Sequence, residues 1–388
     1  MSESRTARIV QQIEEIPAAE WDQCARASGP YNPFLRHAFL AALERSGSAV
    51  PETGWQPLHL VIEDDAGQLQ GVVPMYLKSH SQGEYVFDYA WAEAWHRSGG
   101  QYYPKLQVSV PFTPVTGPRL LCRSQSGQQE TVTQLLAGCV QFAEQLNVSS
   151  LHFTFLPQDQ WQHLGQAGLL RRIDRQFHWH NVGYQHFDDF LAALSSKKRK
   201  NIRRERREVA DIGGEFEWLT GSDLREHHWD AFYHFYVDTG SRKWGQPYLT
   251  RAFFSEISAS MPEDILLILY KRNGRYVAGA LNLIGEQALY GRNWGCIEDH
   301  PFLHFETCYY QAMEFAIARG LQRVEAGAQG AHKLARGYLP APTYSAHWIA
   351  DVRLRDAIAT YLKEERSYVA EDIEFGGMHS PFRRAPDS

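Results

Sequence analysis

The feature that most constrains this chain is an order of predicted elements that occurs twice. Alternating apolar residues over 57–78 predict two strands joined by a tight turn. Residues 262–296 repeat this arrangement around the Asn273-Gly274 dipeptide, which is a strong signal for a two-residue hairpin turn. Each hairpin is followed by a helix-compatible stretch and then by a further strand. The helix-compatible stretches are residues 130–147 and 302–320. The repeated order predicts an α/β chain built from two similar units with mixed sheets.

The length of the chain also favours two units. A single hydrophobic core seldom serves more than about 250 to 300 residues, and this chain has 388. A basic segment that ends before the Gly213-Gly214 pair lies near the middle of the sequence. We therefore expect an N-terminal domain over residues 1–185 and a C-terminal domain over residues 186–388 that opens with a basic helix.

Composition and motifs exclude several classes of protein. The formal net charge of -6 disfavours binding of duplex nucleic acid, which requires an extended basic surface. The five cysteines are never spaced as Cys-x-x-Cys, so we expect no disulfide framework, no metal site and a reducing cytoplasm. No apolar run reaches the ~18 residues of a membrane-spanning helix, and the N-terminus lacks the pattern of a signal peptide. We expect a cytoplasmic protein without a transmembrane segment. The sequence does not indicate its oligomeric state.

The segment SSKKRKNIRRERREV, residues 195–209, carries eight Lys or Arg residues in fifteen positions. Either leading serine can cap a helix here, and the Gly213-Gly214 pair can end it. Helical spacing predicts one side that docks through Ile202 and Val209 and another side that is cationic. Three interpretations stay open: a solvated face, contact with an RNA end, or a site for the phosphate of a small ligand. In the third interpretation the phosphate-binding residues are Lys197, Lys198, Arg199 and Arg203.

Several long blocks of the sequence together resemble the FemAB-like N-acyltransferase family, within the GNAT-like superfamily. Besides the basic segment, they are GEYVFDYAWAEAW, YYPKLQVSVPFTPVTGPRLL, RKWGQPYLTRAFF, GALNLIGEQALYGRNWGC, PFLHFETCYYQAMEFAI and VEAGAQGAHKLARGYLP. The resemblance extends over nearly the whole chain. It implies an α/β fold of two tandem GNAT-like domains with a cleft between them. Relatives of known role, the Fem peptidoglycan transferases, move an aminoacyl group from aminoacyl-tRNA onto the amine of a UDP-linked muropeptide.

The resemblance also implies roles for individual positions. In the Fem transferases a K-x-R-x-N-I-R-like segment, similar to Lys197–Arg203, opens the second domain and faces the nucleotide phosphates of the acceptor. The stretch EAGAQGAHKLARGY is similar to a Gly-rich strand end followed by Phe-Lys and Gly. Lys333 and Gly337 are the counterparts, and His332 replaces the Phe. The glycine loop by which ordinary GNAT enzymes bind coenzyme A has no counterpart in CIEDHPFLHFET.

Amide formation from an activated ester needs a neutral amine, and therefore a group that accepts its proton. The candidates are Asp238, Glu306, Glu325 and His332. Lys333 is expected to stabilise the oxyanion or to anchor a carboxylate or phosphate, and the alternative is a solvated loop lysine. For Glu325 the alternative is an ordinary ion pair with Arg323. Asp238 could pair with Arg242 in the same way.

Further substrate contacts are expected from three segments. FYVDTGSRKWG is interpreted as an aromatic and basic loop in a cleft wall, and ARGY follows the expected catalytic lysine. Residues 101–119 contain four prolines, which disfavour a regular central strand and predict a stiff aromatic loop. The alternative for this loop is a proline-rich edge that only covers the sheet. The predicted substrate-binding residues of these segments are Tyr103, Lys105, Arg242, Lys243, Trp244, Arg336, Gly337 and Tyr338.

The sequence leads to two hypotheses about function. In the first, the chain is an N-acyltransferase that joins an activated acyl or aminoacyl group to an amine on a phosphate-bearing acceptor, such as a peptidoglycan precursor. Acyl-CoA or aminoacyl-tRNA would be the donor, and no tightly bound cofactor is expected. In the second, the chain is a non-catalytic binding protein that recognises cell-wall precursors or an RNA end. Formation of a new amide by the purified protein distinguishes the two.

Overall fold

The computed structural model describes residues 5–243, 247–327, 330 and 332–383, without the side chains of 241–243. Its strands are β1 Arg5–Val10, β2 Trp55–Pro57, β3 His59–Asp64, β4 Leu69–Val73, β5 Met75–Lys78, β6 Lys105–Val108, β7 Leu121–Cys122, β8 Ser150–Leu156, β9 Leu170–His180, β10 Gly214–Leu219, β11 Ile265–Arg272, β12 Arg275–Ile284, β13 Ala288–Cys296, β14 Arg323–Glu325 and β15 Leu339–Ile349. Its α-helices are α1 Ala18–Ala27, α2 His37–Arg45, α3 Tyr89–Arg97, α4 Gln128–Gln145, α5 Gln158–Gln166, α6 Phe187–Ala193, α7 Ser196–Asp211, α8 Glu226–Lys243, α9 Arg251–Ser260, α10 Leu303–Phe305, α11 Gln311–Ala318 and α12 Val352–Met378. Between α10 and α11 the same helical segment forms a π-helical turn, Glu306–Tyr310.

The chain divides into two compact units. Unit 1 comprises Met1–Asp174, Tyr248–Phe253 and Thr343–Val369. Unit 2 comprises Arg175–Pro247, Phe254–Pro342 and Ala370–Ser388. The division after residue 185 stays a prediction of where the domains begin and end.

Unit 1 contains sheets of mixed orientation. Four strands form an antiparallel sheet in the order β1-β3-β4-β7, and the hairpin between β3 and β4 turns at Asp64–Gly67 as predicted. Other strands follow the order β15-β8-β6-β5-β2, in which β6 and β8 are parallel and the remaining neighbours antiparallel. Helices α4 and α5 cover this core through the buried Leu135 and Leu164.

One prediction for residues 101–119 is wrong, because Lys105–Val108 forms β6, an interior strand between β5 and β8. Pro104 and Pro111 lie outside these four residues, so no proline removes a backbone donor from the strand. All four side chains of β6 are buried. Packing against both neighbouring strands therefore outweighs the irregularity that the prolines impose on the rest of the segment.

Unit 2 repeats the order of hairpin, helix and strand. Strands β10 to β13 are antiparallel neighbours, and the Asn273-Gly274 turn joins β11 to β12 as predicted. The helical segment from α10 to α11 follows β13 and leads to β14, which is parallel to β13 and antiparallel to β9. Helices α6 and α11 cover one face of the sheet around Trp179, Leu289 and Val324. The predicted mixed α/β architecture is confirmed.

Two helices of unit 2 bear on the site. Helix α7 has Ile202, Glu205 and Val209 as its buried residues. It stops shortly before Gly213, whose positive φ of 79° suits glycine at a helix end. The prediction of a loop over residues 235–245 is wrong for residues 235–243, because α8 continues to Lys243 and buries aromatic residues at helical spacing. Among the described helices, none combines the length and apolar character needed to cross a membrane.

Candidate functional site

The candidate site of unit 2 lies where two parallel strands separate. Ala288–Tyr290 of β13 pairs with Arg323–Glu325 of β14. Strand β14 ends there, whereas β13 continues to Cys296. Beyond Tyr290, the described chain therefore gives β13 no strand partner on this side. The edge of a strand that lacks a neighbouring strand is a place where an extended ligand can bind.

A β-bulge in β13 lies at the same place. On its other side, β12 pairs Leu281 with Asn293 and Asn282 with Gly291, which leaves Arg292 as the extra residue. Bulges bend a strand and change the direction of its side chains, and they are over-represented next to active sites. A cavity of about 110 Å³ lies beside the bulge and the end of β14.

The cavity is lined by β12, β13, the residue after β14 and the helical segment. The lining residues are Ala280, Leu281, Asn282, Gly291, Arg292, Asn293, Trp294, His304, Cys308, Tyr309 and Ala326. Cys308 and Tyr309 belong to the π-helical turn, a rare geometry that recurs at functional sites. The lining is part apolar and part hydrogen-bonding, which suits a small ligand group with both characters.

Tyr309 and His332 form a hydrogen-bonded pair at this cavity. Tyr309 Oη and His332 Nε2 are 3.0 Å apart, and the His332 ring lies 5.4 Å from that of Phe305. Burial lowers the pKa of His332 below its usual value, and the charges of Lys333 and Arg336 lower it further. Burial raises the pKa of Tyr309. At neutral pH the pair therefore consists of a neutral imidazole and a protonated phenol.

Lys333 is buried next to the same wall of the cavity. Its ammonium group donates hydrogen bonds to the carbonyl oxygens of Ala326 and Gly327, the second at 3.1 Å. Burial lowers the pKa of Lys333 to about 8. An ammonium group has three donors, and within the described part of the chain Lys333 uses two of them in these bonds. Lys333 is thus not a solvated loop lysine, and its predicted role toward the oxyanion stays a prediction.

Glu325 is buried at the end of β14, next in the chain to the cavity residue Ala326. Register places it between Tyr290 and His178 on one face of the sheet. Arg323 donates to Glu325 Oε1 at 2.8 Å, so the ordinary ion pair does form. Glu325 Oε2 has no hydrogen-bond partner among the described residues. Its predicted part in proton transfer stays a prediction.

Two predicted residues occupy buried ion pairs. Glu306 is held by Arg206 of α7, with the Nη2 to Oε1 distance at 2.9 Å, and burial raises the pKa of Glu306. Arg336 forms a two-pronged pair with Glu205 of α7, at 2.7 and 3.1 Å. Both arrangements anchor α7 to the rest of unit 2. They are structural contacts that leave the predicted catalytic or substrate-binding roles as predictions.

The neighbours of Arg336 fix the turn that follows the site. Gly337 has a φ of 91°, and a Cβ atom there would lie 2.7 Å from the Phe190 ring. Tyr338 is fully buried against Tyr309, with 5.2 Å between ring centroids. Glycine is therefore required at 337 for close packing, and Tyr338 supports the cavity wall from behind.

The predicted phosphate-binding residues of α7 differ in exposure. Lys197 and Arg203 are exposed, whereas Lys198 and Arg199 are half-buried. Arg203 forms an exposed ion pair with Asp188 at 3.3 Å, and exposed pairs contribute little to stability. Arg203 also lines an open groove of about 570 Å³. Phosphate binding by these four residues stays a prediction.

The segment at the end of α8 is only partly described. Asp238 is half-buried on the helix. The side chains of Arg242 and Lys243, and the whole of Trp244, lie outside the described residues. The substrate contacts predicted for this segment remain predictions.

In unit 1, Lys105 is fully buried rather than open to a ligand. Its ammonium group donates to Ser81 at 2.8 Å, to Glu84 at 2.7 Å and to Asp88. Tyr103 shares a hydrogen bond of 2.8 Å with Ser81. The structure brings these two predicted residues together around one serine, and their contact with substrate stays a prediction.

Sequence reasoning did not assign roles to the side chains that line the cavity. Arg292, Trp294, Cys308 and Tyr309 all lie in blocks that carry the family resemblance. The signal was therefore present, but neither the bulge nor the π-helical turn that brings them together has a local sequence signature.

In the described part of the chain, no group of three or more His, Cys, Asp and Glu side chains could hold a metal ion.

Comparison with known proteins identifies the family. A model of the FemAB-like family, described as peptidoglycan biosynthesis/recognition, matches residues 12–384. The chain belongs to the FemAB-like family. This membership confirms the predicted family and, at the level of the family, the acyltransferase class.

Solved structures share the fold of this FemAB-like chain at low sequence identity. FemX is 14% identical with a TM-score of 0.57, covering 89% of this chain and 98% of its own. The C-terminal domain of a provisionally named lysylphosphatidylglycerol synthetase from Agrobacterium fabrum is 12% identical with a TM-score of 0.54, covering 89% of this chain and 96% of its own. L-PGS from Bacillus licheniformis is 11% identical with a TM-score of 0.51, covering 86% and 98%. No curated protein sequence matches the chain. The predicted tandem GNAT-like fold is confirmed.

Proposed function

We propose that this FemAB-like protein transfers a small acyl or aminoacyl group to an amine, and that the reacting carbonyl binds in the cavity between β13 and β14. The observation that carries the proposal is the separation of these strands beside the bulge at Arg292. The cavity at this place is lined by the phenol of Tyr309 and by Ala326, whose carbonyl oxygen accepts a hydrogen bond from the buried ammonium group of Lys333. Such preorganised donors are the usual means of stabilising the transition state of acyl transfer.

The volume of the cavity limits the size of the acyl group that can bind in it. Its volume is about 110 Å³, and a water molecule occupies ~30 Å³ of liquid. The cavity thus has room for about four groups of the size of a water molecule, each with one non-hydrogen atom. This favours an acetyl or a small aminoacyl group over a long acyl chain. A larger side chain would have to extend out of the cavity.

The proposed reaction uses the Tyr309–His332 pair to return a proton. The amine nitrogen attacks the acyl carbonyl carbon, and the bond from that carbon to the leaving oxygen or sulfur breaks. His332 accepts the proton that the amine loses, and Tyr309 donates a proton to the leaving group. The 3.0 Å hydrogen bond between them then lets His332 reprotonate Tyr309, so the proton count balances.

Lys333 completes the proposed site. The ammonium group already fixes Ala326 and Gly327. Its third hydrogen would meet the negative charge that develops on the carbonyl oxygen, in a buried place where such an interaction is strong. The lowered pKa of about 8 still leaves most of the group charged at pH 7.

The donor and acceptor follow from the family and from α7. The description of the family as peptidoglycan biosynthesis/recognition supports an amine on a cell-wall precursor as acceptor. The exposed cations of α7 would bind its phosphate groups through charge-assisted hydrogen bonds. Aminoacyl-tRNA and acyl-CoA are the two donors to be compared, since both present a small activated acyl group.

Mass spectrometry of reaction mixtures tests the proposal. Purified protein is incubated with acyl-CoA or aminoacyl-tRNA and candidate amines, and we expect a new amide carrying a small acyl group. Tyr309→Phe and His332→Gln should each slow its formation about 10²-fold, the lower range for lost proton transfer. Tyr184→Phe, at a half-buried tyrosine elsewhere in unit 2, is the matched control and should leave the rate unchanged.

Two results would contradict the proposal. Tight binding of precursors without product from any donor would favour a binding protein. A full rate in both variants, together with a large loss in Glu325→Gln, would move proton transfer to Glu325, whose Oε2 lies 3.8 Å from His178 Nε2.

A further inference from the structure

The most basic segment of the chain contains one buried acid. Glu205 lies among eight Lys and Arg residues, yet its side chain points into unit 2 and only 7% of the residue is exposed. Burying a carboxylate is costly unless it is paired and hydrogen-bonded. The groups that pair with Glu205 therefore indicate why its carboxylate is buried.

The partners of Glu205 belong to the two segments that form the candidate site. Arg336 donates to both carboxylate oxygens, from Nη2 at 2.7 Å and from Nε at 3.1 Å. Tyr310 donates to Oε2 at 2.5 Å. Burial raises the pKa of Tyr310, and the charge of Glu205 raises it further, so the phenol remains a donor. All three side chains are buried, and the carboxylate is fully bonded.

Each partner contacts one member of the Tyr309–His332 pair. Arg336 Nη1 donates to the backbone carbonyl of His332 at 2.8 Å. The guanidinium group also lies 3.4 Å from the ring centroid of Phe305, and the Phe305 ring lies 5.4 Å from the ring of His332. Tyr310 directly follows Tyr309 in the π-helical turn. One carboxylate thus holds the backbone on both sides of the 3.0 Å hydrogen bond between Tyr309 and His332.

We propose that Glu205 is a positioning residue for the reaction, which holds Tyr309 and His332 in hydrogen-bonding distance through Arg336 and Tyr310. The inference rests on the proposed function of that pair. Helix α7 then has two roles, because its cations are exposed to solvent and its buried Glu205 positions the residues of the site.

A contact between α7 and the same helical segment provides a comparison within unit 2. Arg206 pairs with Glu306 at 2.9 Å and with Glu314 at 2.8 Å. Among the described residues, neither carboxylate hydrogen-bonds to Tyr309 or His332, yet both pairs hold α7 against the helical segment. Anchoring of α7 alone therefore does not account for the contacts of Glu205 with the site.

Glu205→Gln is the test variant because it keeps the shape of the side chain and removes its charge. We expect kcat to fall at least tenfold with KM for donor and acceptor within about twofold, as for an interaction used in the transition state. Glu365→Gln is the matched control. It breaks a similar two-pronged pair with Arg172 in unit 1, at 2.6 and 2.8 Å, and should leave kcat unchanged at a temperature where both variants are folded.

A double-mutant cycle separates positioning from general destabilisation. If Glu205 acts through His332, then Glu205→Gln should cost almost nothing further in a His332→Gln background. Equal losses in both backgrounds would show that the effect does not pass through His332 and would overturn the inference. A full rate in His332→Gln alone would instead contradict the proposed function, so the two failures are distinguishable.

A measurement without turnover checks the same geometry. In protein labelled with ¹⁵N-histidine, the Nε2 resonance of His332, assigned by its loss in His332→Gln, should shift in Glu205→Gln and stay in place in Glu365→Gln. An unchanged resonance in a folded Glu205→Gln variant would overturn the inference, whatever donor the protein uses.

Discussion

Lys333 is the residue at which the sequence and the structure agree most usefully. Its resemblance to the lysine of the Fem transferases drew attention to it, and the structure buries it beside the cavity with its bonds to Ala326 and Gly327. Tyr309 could not be found in this way, because nothing in the local sequence shows that the helix forms a π-helical turn. Glu205 was also missed, because an acid within a basic run is ordinarily a surface charge.

At the same scale, unit 1 contains a buried pair of histidines. His152 Nδ1 and His347 Nδ1 are 2.7 Å apart, and Tyr102 and Ser150 contact Nε2 of His152. Burial lowers the pKa of His152 to about 3, and Lys105 lowers it further while Asp88 opposes this. The pKa of His347 is lowered as well, by burial and by the neighbouring His152. Both rings are therefore neutral in the folded protein at pH 7.

This pair predicts acid sensitivity. In the unfolded chain a histidine binds its proton near pH 6.5, whereas folded His152 does so only near pH 3. Between these values the unfolded state binds more protons, so the free energy of unfolding falls as the pH falls, by up to about 1.4 kcal/mol per pH unit for each ring. Denaturant unfolding from pH 7.5 to 5 should show a shallower decline in His152→Asn. Parallel declines in both proteins would contradict the prediction.

At the scale of elements, periodicity identified α7 and its limits, because caps and glycine are local signals. It also placed Ile202 and Val209 on the buried side. It failed for β6 and for the end of α8, where packing of a short strand and of aromatic residues overrides proline and glycine. The bulge at Arg292 depends on how β12 and β13 pair, and this is a tertiary property without a sequence pattern of its own.

The exposed side of α7 gives a prediction about binding. Changing Arg199 and Arg203 together to Gln should weaken binding of a UDP-linked precursor by about tenfold or more, through loss of charge-assisted hydrogen bonds. The melting temperature should change little, because the ion pair between Arg203 and Asp188 is exposed. Isothermal titration with the precursor provides the measurement. The control is the same double change at Arg204 and Arg207, which are also exposed on α7.

Equal affinity in the wild type and the Arg199, Arg203 variant would leave the cations as a solvated face. An equal loss in both double variants would indicate attraction by net charge alone, without a defined phosphate site.

At the scale of the whole molecule, the repeated order of hairpin, helix and strand was readable from the sequence and is present in both units. Each unit contains a parallel pair that a helix connects, β6 with β8 in unit 1 and β13 with β14 in unit 2. The two copies of this order of elements differ in what surrounds the parallel pair. In unit 1 the buried cluster around Lys105 accompanies the parallel pair, and in unit 2 the pair opens into the candidate cavity.

The central claim is that the acyl group binds in the opening between β13 and β14. The most direct measurement is a crystal structure of the protein with a non-hydrolysable analogue of an aminoacyl or acyl donor. We predict that the acyl carbonyl will lie in the cavity, within hydrogen-bonding distance of Tyr309 or of the Lys333 ammonium group, beside the bulge at Arg292. Clear density for the acyl group at another place, with the cavity closed or filled by protein side chains, would contradict the claim.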